Sequence, residues 1–288
     1  MLFTVTDSAL SSYYSKKHKA VIFLLVTVNI EKNQDKGISA FFKGNEYIKE
    51  YYITPELTVL DLRCICNRKK PYPKELSRMC AGLTDTVLCS SKIQLPRELD
   101  RFCDNTLNIR MMENTILHLL NTLPPKSLSI GLYDPHGNCR GLCEKLLPLC
   151  SSITAATEMK HFYSALGALP IVDKLSELYP CDILIHRDAI ASELPHERNT
   201  LVFSAYPPDI RTDENTIFSY RTPAPKELLS LIPKGTDRQY FLCGLYSLCK
   251  KTELGDTLPE ICMTSHGAVS IEYLRSRLLA SRDIEGSL

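Results

Sequence analysis

The chain has 288 residues, of which 44% are hydrophobic and 23% are charged, as is usual for a globular protein with a buried core. The formal net charge is +1 without long runs of one sign, so the charge pattern indicates neither a nucleic-acid partner nor an anionic membrane surface. The longest apolar run, residues 20–28, is far shorter than the roughly 20 residues of a membrane-spanning helix. Its β-branched content predicts a buried strand.

Cysteine is abundant, with 12 residues, and no export signal is recognisable. We therefore expect reduced thiols and a cytoplasmic protein. Cys139, Cys143 and Cys150 share one face of a predicted helix, where free cysteine packs as a small apolar side chain. Four others are candidate zinc ligands, although the spacing of standard zinc modules is missing: Cys64, Cys66, Cys80 and Cys89.

Hydrophobic periodicity divides the chain into three predicted domains, at residues 1–122, 123–220 and 221–288. The first is predicted to be mixed α+β and the third helical. Strands of the first are predicted at residues 20–28, 51–53, 59–66 and 86–89, before a helix within 96–123. Helices of the third are predicted at residues 225–232, 238–249 and 268–281.

The middle section alternates short apolar runs with helical patterns, which predicts parallel βαβ units and an α/β fold. Strands are predicted at residues 127–133, 153–158, 169–172, 182–186, 200–205 and 217–220. Helices are predicted at residues 139–149, 159–166 and 173–179. Because these strands are almost continuously apolar, we expect helices on both faces of a Rossmann-like parallel sheet.

The loop after the first of these strands is the first candidate site. It contains Asp134, His136, Gly137 and Asn138, and it leads into a helix whose free N–H groups suit a phosphate. Gly137 and Asn138 suit the left-handed turn that a close approach requires. The alternative is a tight Asp-Pro-x-Gly turn that caps a structural helix, which the absence of a G-x-G-x-x-G fingerprint favours.

Two further candidates follow later strands. Glu158 ends the second strand, where dinucleotide-binding folds place an acid that binds the ribose hydroxyls. Alternatively, it caps the following helix. His186 precedes Arg187 and Asp188 after the fourth strand, and would face the same crevice as a titratable group. The alternative there is a solvated polar loop.

In this arrangement residues 126–220 resemble the NAD(P)-binding Rossmann superfamily. The resemblance implies a nucleotide, NAD(P), across the carboxyl ends of the strands. The residues that it assigns to cofactor binding are Asp134, His136, Gly137, Asn138, Glu158 and His186. The order of the three sections is similar to that of shikimate-dehydrogenase-like oxidoreductases.

Three functions remain open at this point. The first is an NAD(P)-type oxidoreductase-like protein of unknown substrate, with a small-molecule or nucleotide ligand. The second is a non-catalytic Rossmann scaffold with a regulatory or assembly role, which the missing glycines and the acid Asp134 favour. The third is a cysteine-based metal or redox protein. The nucleotide hypothesis requires residues 134–138 and Glu158 to meet at one edge of a parallel sheet.

Overall fold

The computed structural model describes residues 23–32, 45–54, 57–66, 77, 80, 85–167, 169–187, 200–206, 215–230, 232–249 and 254–285. Its strands are β1 (Phe23–Lys32), β2 (Asn45–Thr54), β3 (Leu57–Cys66), β4 (Thr86–Cys89), β5 (Asp100–Arg101), β6 (Ser129–Tyr133), β7 (Ser152–Ala156), β8 (Ile171–Val172), β9 (Ile183–His186), β10 (Leu201–Ser204), β11 (Thr216–Ile217), β12 (Ser219–Arg221), β13 (Ile261–Thr264) and β14 (Gly267–Val269). Its helices are α1 (Thr106–Thr122), α2 (Arg140–Leu146), α3 (Lys160–Ser164), the 3-10 helix Leu175–Leu178, α4 (Lys226–Ser230), α5 (Arg238–Cys249) and α6 (Ile271–Glu285).

The backbone forms two compact units. Unit 1 comprises Met1–Asp104 and Ala224–Glu253, and unit 2 comprises Asn105–Pro223 and Leu254–Leu288. The three-domain division stays a prediction, and the two units divide the chain at different places. Helix α1 belongs to unit 2, and the third predicted section is shared between the units. Local periodicity does not reveal such a division, because it depends on contacts between segments far apart in the chain.

Unit 1 contains a five-stranded sheet in the order β2-β3-β1-β4-β5. Strands β3 and β4 run parallel to β1, β5 runs parallel to β4, and β2 is antiparallel to β3. The bounds of α5 agree with the prediction, and this helix packs on β1 and β4. The packing is close at Gly244, where a Cβ atom would lie 2.7 Å from the Leu88 side chain and 3.3 Å from that of Leu25.

The helix predicted within residues 96–123 occupies only the later part of that range. It begins at Thr106, whereas the preceding segment contains β5. In that segment the N–H of Asp100 donates to the carbonyl of Asp85 at 2.7 Å, and the N–H of Phe102 donates to that of Val87 at 2.9 Å. These bonds to a strand about fourteen residues earlier override the helical periodicity, because they satisfy the same backbone groups in an extended conformation.

Unit 2 is built on a six-stranded sheet in the order β11-β10-β9-β6-β7-β8, in which every pair is parallel. Counted from β6 as strand one, the order across the sheet is 6-5-4-1-2-3. The prediction of an α/β fold with parallel strands is confirmed. The last predicted strand, at residues 217–220, is divided between β11 in this sheet and β12 in another.

The third predicted section is not wholly helical. Strands β13 and β14 form an antiparallel hairpin there, and β13 also pairs with β12 to give a three-stranded sheet. Helix α6 therefore begins at Ile271 instead of residue 268. The hairpin was missed because β14 has only three residues and because the partner strand β12 lies about forty residues earlier in the chain.

Among the helices of the described residues, none combines the length and the apolar character that crossing a membrane requires.

Candidate functional site

The predicted site residues come from three loops that meet at one edge of the parallel sheet in unit 2. Tyr133, at the end of β6, is in register with Ala156 at the end of β7 and with His186 at the end of β9. The N–H of Asp134 donates to the Ala156 carbonyl at 3.0 Å. We call residues 134–138, 157–162 and 186–187 the carboxyl rim. Residues 134–138 and Glu158 thus lie on the same rim.

Asp134 is fully buried at the start of the first loop. One carboxylate oxygen accepts a hydrogen bond from the N–H of Asn138 at 2.9 Å. The other accepts from the N–H of Cys139 at 2.8 Å and from the Tyr163 hydroxyl. The backbone donors that precede α2, which were predicted to suit a phosphate, are therefore satisfied by the chain's own carboxylate.

Tyr163 connects this loop to α3. Its side chain is fully buried. Burial raises the pKa of the Tyr163 phenol, and the hydrogen bond to Asp134 and the charge of that carboxylate raise it further. The phenol therefore remains a hydrogen-bond donor under all ordinary conditions.

Gly137 has φ +75, as predicted for a left-handed turn, whereas Asn138 does not adopt this conformation. A Cβ atom on Gly137 would lie 2.6 Å from Cδ2 of Phe162 and 3.2 Å from Cβ of Met159. The missing side chain thus makes room for the residues that begin α3. The contacts support the alternative of a structural turn.

The exposed part of the loop is tied to the end of β9. His136 and Asn138 are exposed, and the Arg187 guanidinium donates to the Asn138 carbonyl. The same guanidinium lies 3.6 Å from a carboxylate oxygen of Glu113. The Arg187 guanidinium therefore connects two protein segments. Asp188 lies outside the described residues.

Glu158 is exposed on the rim and makes no hydrogen bond among the residues that the structure describes. The turn before α3 is held by Thr157, whose hydroxyl accepts from the N–H of Met159 at 3.0 Å. Glu158 therefore makes no capping hydrogen bond to this helix. Its side chain is exposed to solvent.

His186 was considered from sequence as part of a solvated loop, but it is the last residue of β9 and only 4% exposed. Its Nδ1 lies 3.4 Å from the Ser204 hydroxyl at the end of β10. That hydroxyl also donates to the Tyr206 carbonyl at 2.7 Å. The imidazole is thus buried against the neighbouring strand, because the two strand ends are in register.

Comparison with known proteins identifies no relative. No protein-family model, curated protein or solved structure matches the chain. What the rim does must therefore be inferred from the contacts of its own residues.

Sequence reasoning missed two asparagines of unit 2 beside the rim, Asn105 and Asn108. Both donate to the Ala205 carbonyl, Asn108 at 2.7 Å. The Asn108 amide oxygen accepts from the N–H of Tyr220 at 3.1 Å, and the Tyr220 hydroxyl donates to the Ser204 carbonyl at 3.2 Å. Asn108 lies on the buried side of α1, so an amide within an apolar helix face was the available signal.

The described cysteines offer little reactive chemistry. The nine cysteines whose side chains are described are all free thiols, and among them only Cys103 is exposed. Burial raises the pKa of Cys80 to about 12, that of Cys143 to about 11 and that of Cys262 to about 12. Among the described residues, no group of histidine, cysteine or acidic side chains is arranged to hold a metal ion. The side chains of Cys64 and Cys66 lie outside the described part.

Proposed function

We propose that the protein is a non-catalytic regulatory or assembly protein in which unit 2 is a Rossmann-like scaffold. The strand order of unit 2 supports the scaffold. Counted from β6, it is the 3-2-1-4-5-6 order of dinucleotide-binding domains, read from the other edge. A fold of this kind carries many functions, so the role must be inferred from the rim.

The observation that carries the proposal is the buried carboxylate of Asp134. It accepts hydrogen bonds from the N–H groups of Asn138 and Cys139, which are two of the backbone donors that a pyrophosphate could use at the start of α2. A bound phosphate would also lie near a negative charge of the same sign. Two unit charges 4 Å apart repel by about 4 kcal/mol at an effective dielectric constant of about 20. The first loop therefore disfavours a dinucleotide.

The exposed chemistry of the rim supports a role in assembly. Phe162 is 38% exposed, and Tyr273 is the other large apolar side chain exposed among the described residues. Its ring lies 4.3 Å from that of His161, measured between centroids. With His136 and Glu158 exposed on the same rim, this surface combines an aromatic anchor with polar neighbours, as protein interfaces do.

A second candidate function is the NAD(P)-type oxidoreductase. It is favoured by Glu158, which is exposed two residues after β7, where dinucleotide-binding domains place the acid that binds the ribose. In this alternative Glu158 binds the ribose hydroxyls, and the phosphates contact residues other than the N–H groups that Asp134 already occupies.

Cofactor titration separates the two candidates. The full chain is mixed with NAD(H) or NADP(H) at up to ~5 mM, and the melting temperature is measured. For the scaffold we expect no saturable shift, and native mass spectrometry should find no bound nucleotide. A saturable shift that is lost in Glu158→Gln but kept in Glu144→Gln, an exposed acid on α2, would establish the oxidoreductase candidate instead.

The assembly role has its own test. A photo-crosslinking amino acid replaces His136 on the rim and, as a control, Ser151, which is exposed just before β7, at the opposite edge of the same sheet. We expect irradiation in cells to join a protein to the rim position but not to the control. Equal crosslinking at both positions, or none at the rim, would contradict the assembly role.

A further inference from the structure

The segment between β4 and β5 in unit 1 forms a cleft of about 580 Å³ that none of the predicted site residues approaches. This volume lies within the range of ligand pockets, about 300–1,000 Å³. The cleft is lined by residues of the segment 91–101. Since all of these residues belong to unit 1, the cleft is complete within one unit.

The charges that line the cleft are mostly positive. Lys92, Arg97 and Arg101 contribute three cationic side chains, against one carboxylate from Asp100. Within the described part of the chain, none of the three cations forms an ion pair with an acid. Ion pairs elsewhere neutralise comparable groups, as Arg140 and Glu144 do at 3.2 Å. The cleft therefore concentrates unpaired positive charge, which attracts an anion.

The segment that lines the cleft is held in place by its own contacts. The side chains of Ile93 and Leu99 are buried and anchor the segment. The N–H of Ile93 donates to the Ser90 carbonyl at 3.0 Å, and Arg101 donates to the Ile93 carbonyl at 2.5 Å. Binding thus does not require the backbone to become ordered, which removes one cost of association.

Arg101 retains a donor for a ligand. Its Nε atom is buried and has no hydrogen-bond partner in the described part of the chain. The Arg101 side chain also forms a hydrogen bond with Cys89, which fixes the arginine at the wall of the cleft. The exposed Lys92 and Arg97 supply charge at the opening, and arginine suits the planar geometry of carboxylate and phosphate.

We propose that this cleft binds a small organic anion through a phosphate or carboxylate group held by Lys92, Arg97 and Arg101. The cleft is open to solvent, and its three cations come from a single segment of eleven residues, which favours a small molecule over a nucleic acid, whose backbone needs an extended basic stripe. The site lies in unit 1, so it is independent of the function proposed for unit 2.

The test uses the full chain and three probes: inorganic phosphate, pyrophosphate and citrate. Binding is measured by isothermal titration calorimetry at constant ionic strength, with potassium chloride as the reference salt. The cleft variant is Lys92→Met with Arg97→Met. The matched control is Lys226→Met with Lys234→Met, which removes two exposed lysines from the same unit and changes the net charge equally.

We expect saturable binding of at least one probe by the wild type, at least tenfold weaker binding by the cleft variant, and less than a twofold change in the control. Preference for citrate over the two phosphates would assign a carboxylate ligand, and the reverse would assign a phosphate. Both variants alter exposed side chains and should fold, which circular dichroism checks. No saturable binding by the wild type below ~10 mM, or equal weakening in both variants, would overturn the proposal.

Discussion

At residue 134 a carboxylate is completely buried, yet each of its oxygens accepts at least one hydrogen bond. Burial of a charge is unfavourable unless such bonds replace the lost hydration. Here the donors are two backbone N–H groups and the Tyr163 phenol, which joins the loop to α3. The same residue that stabilises the loop also fills the position in which a pyrophosphate would bind.

Replacement of Asp134 by asparagine should destabilise unit 2 by about 3 kcal/mol, because the amide offers one acceptor oxygen to three donors. Tyr163→Phe, which removes a single donor and keeps the ring, should cost only about 1 kcal/mol. Urea denaturation followed by circular dichroism measures both changes. Equal stability of Asp134→Asn and wild type would contradict this account of the carboxylate.

The glycines at positions 137 and 141 should respond in opposite ways to replacement by alanine. Gly137→Ala should lower the free energy of unfolding by about 1–2 kcal/mol, because alanine is strained at φ +75 and its Cβ would meet the Phe162 ring at 2.6 Å. Gly141→Ala should instead gain up to ~1 kcal/mol, since Gly141 lies in α2 with nothing within 4 Å of the added Cβ. Thermal unfolding measures both changes: the melting temperature should fall in Gly137→Ala and rise in Gly141→Ala. A stable Gly137→Ala protein would indicate that the turn is not strained.

Among the elements, α1 combines an apolar face with buried amides. Its buried face includes Leu107, Met111 and Ile116, but also Asn108 and Asn114. The two amides bind carbonyl groups of neighbouring segments, Asn108 that of Ala205 and Asn114 that of Thr257 at 2.8 Å. The helix thus supplies hydrogen-bond donors to backbone that is not paired within a sheet, in addition to its apolar packing.

Asn108→Leu should therefore destabilise unit 2 by about 2–4 kcal/mol, because it leaves the Phe218 carbonyl and the Tyr220 N–H without their partner. The matched control is Asn121→Leu, at an exposed position of the same helix, which should change stability little. Urea denaturation compares the two variants. Similar stability of the two proteins would show that the buried amide contributes only packing.

Across the whole molecule, thiols are buried in both units: Cys80 in unit 1, and Cys143 and Cys262 in unit 2. Burial disfavours the charged thiolate. Each of these groups therefore keeps its proton at pH values well above 9.0, the ordinary pKa of cysteine. The folded state consequently binds protons that the unfolded chain releases in alkaline solution. Stability is thereby linked to pH through groups that have no role at the rim.

We expect the free energy of unfolding to be unaffected by these thiols below pH 9 and to fall as the pH rises from 9 towards 11–12. Each thiol contributes at most about 1.4 kcal/mol per pH unit in that window. Urea denaturation at successive pH values measures the slope, which should be shallower in Cys143→Ala and unchanged in Cys103→Ser, where the thiol is exposed. A flat dependence above pH 9 would contradict the burial of these groups.

Much of unit 2 was predictable because buried parallel strands are apolar runs separated by turns. Strands β6, β7, β9 and β10 lie within or close to their predicted ranges, and so do the three candidate loops that follow β6, β7 and β9. Parallel pairing alone then places the ends of neighbouring strands on one edge. The assembly of the rim therefore follows from local pattern and elementary sheet geometry.

The amino-acid sequence by itself determined the α/β class, the alternation of elements in the middle section and the bounds of α5, since each depends on the order of neighbouring side chains. Only the tertiary structure decided that Asp134 is buried against two N–H groups and Tyr163, that β14 replaces the start of a predicted helix, and that α1 joins unit 2. The physical reason is the same in each case. Hydrogen bonds and contacts between segments tens of residues apart determine these features. Such contacts cannot be inferred from local periodicity.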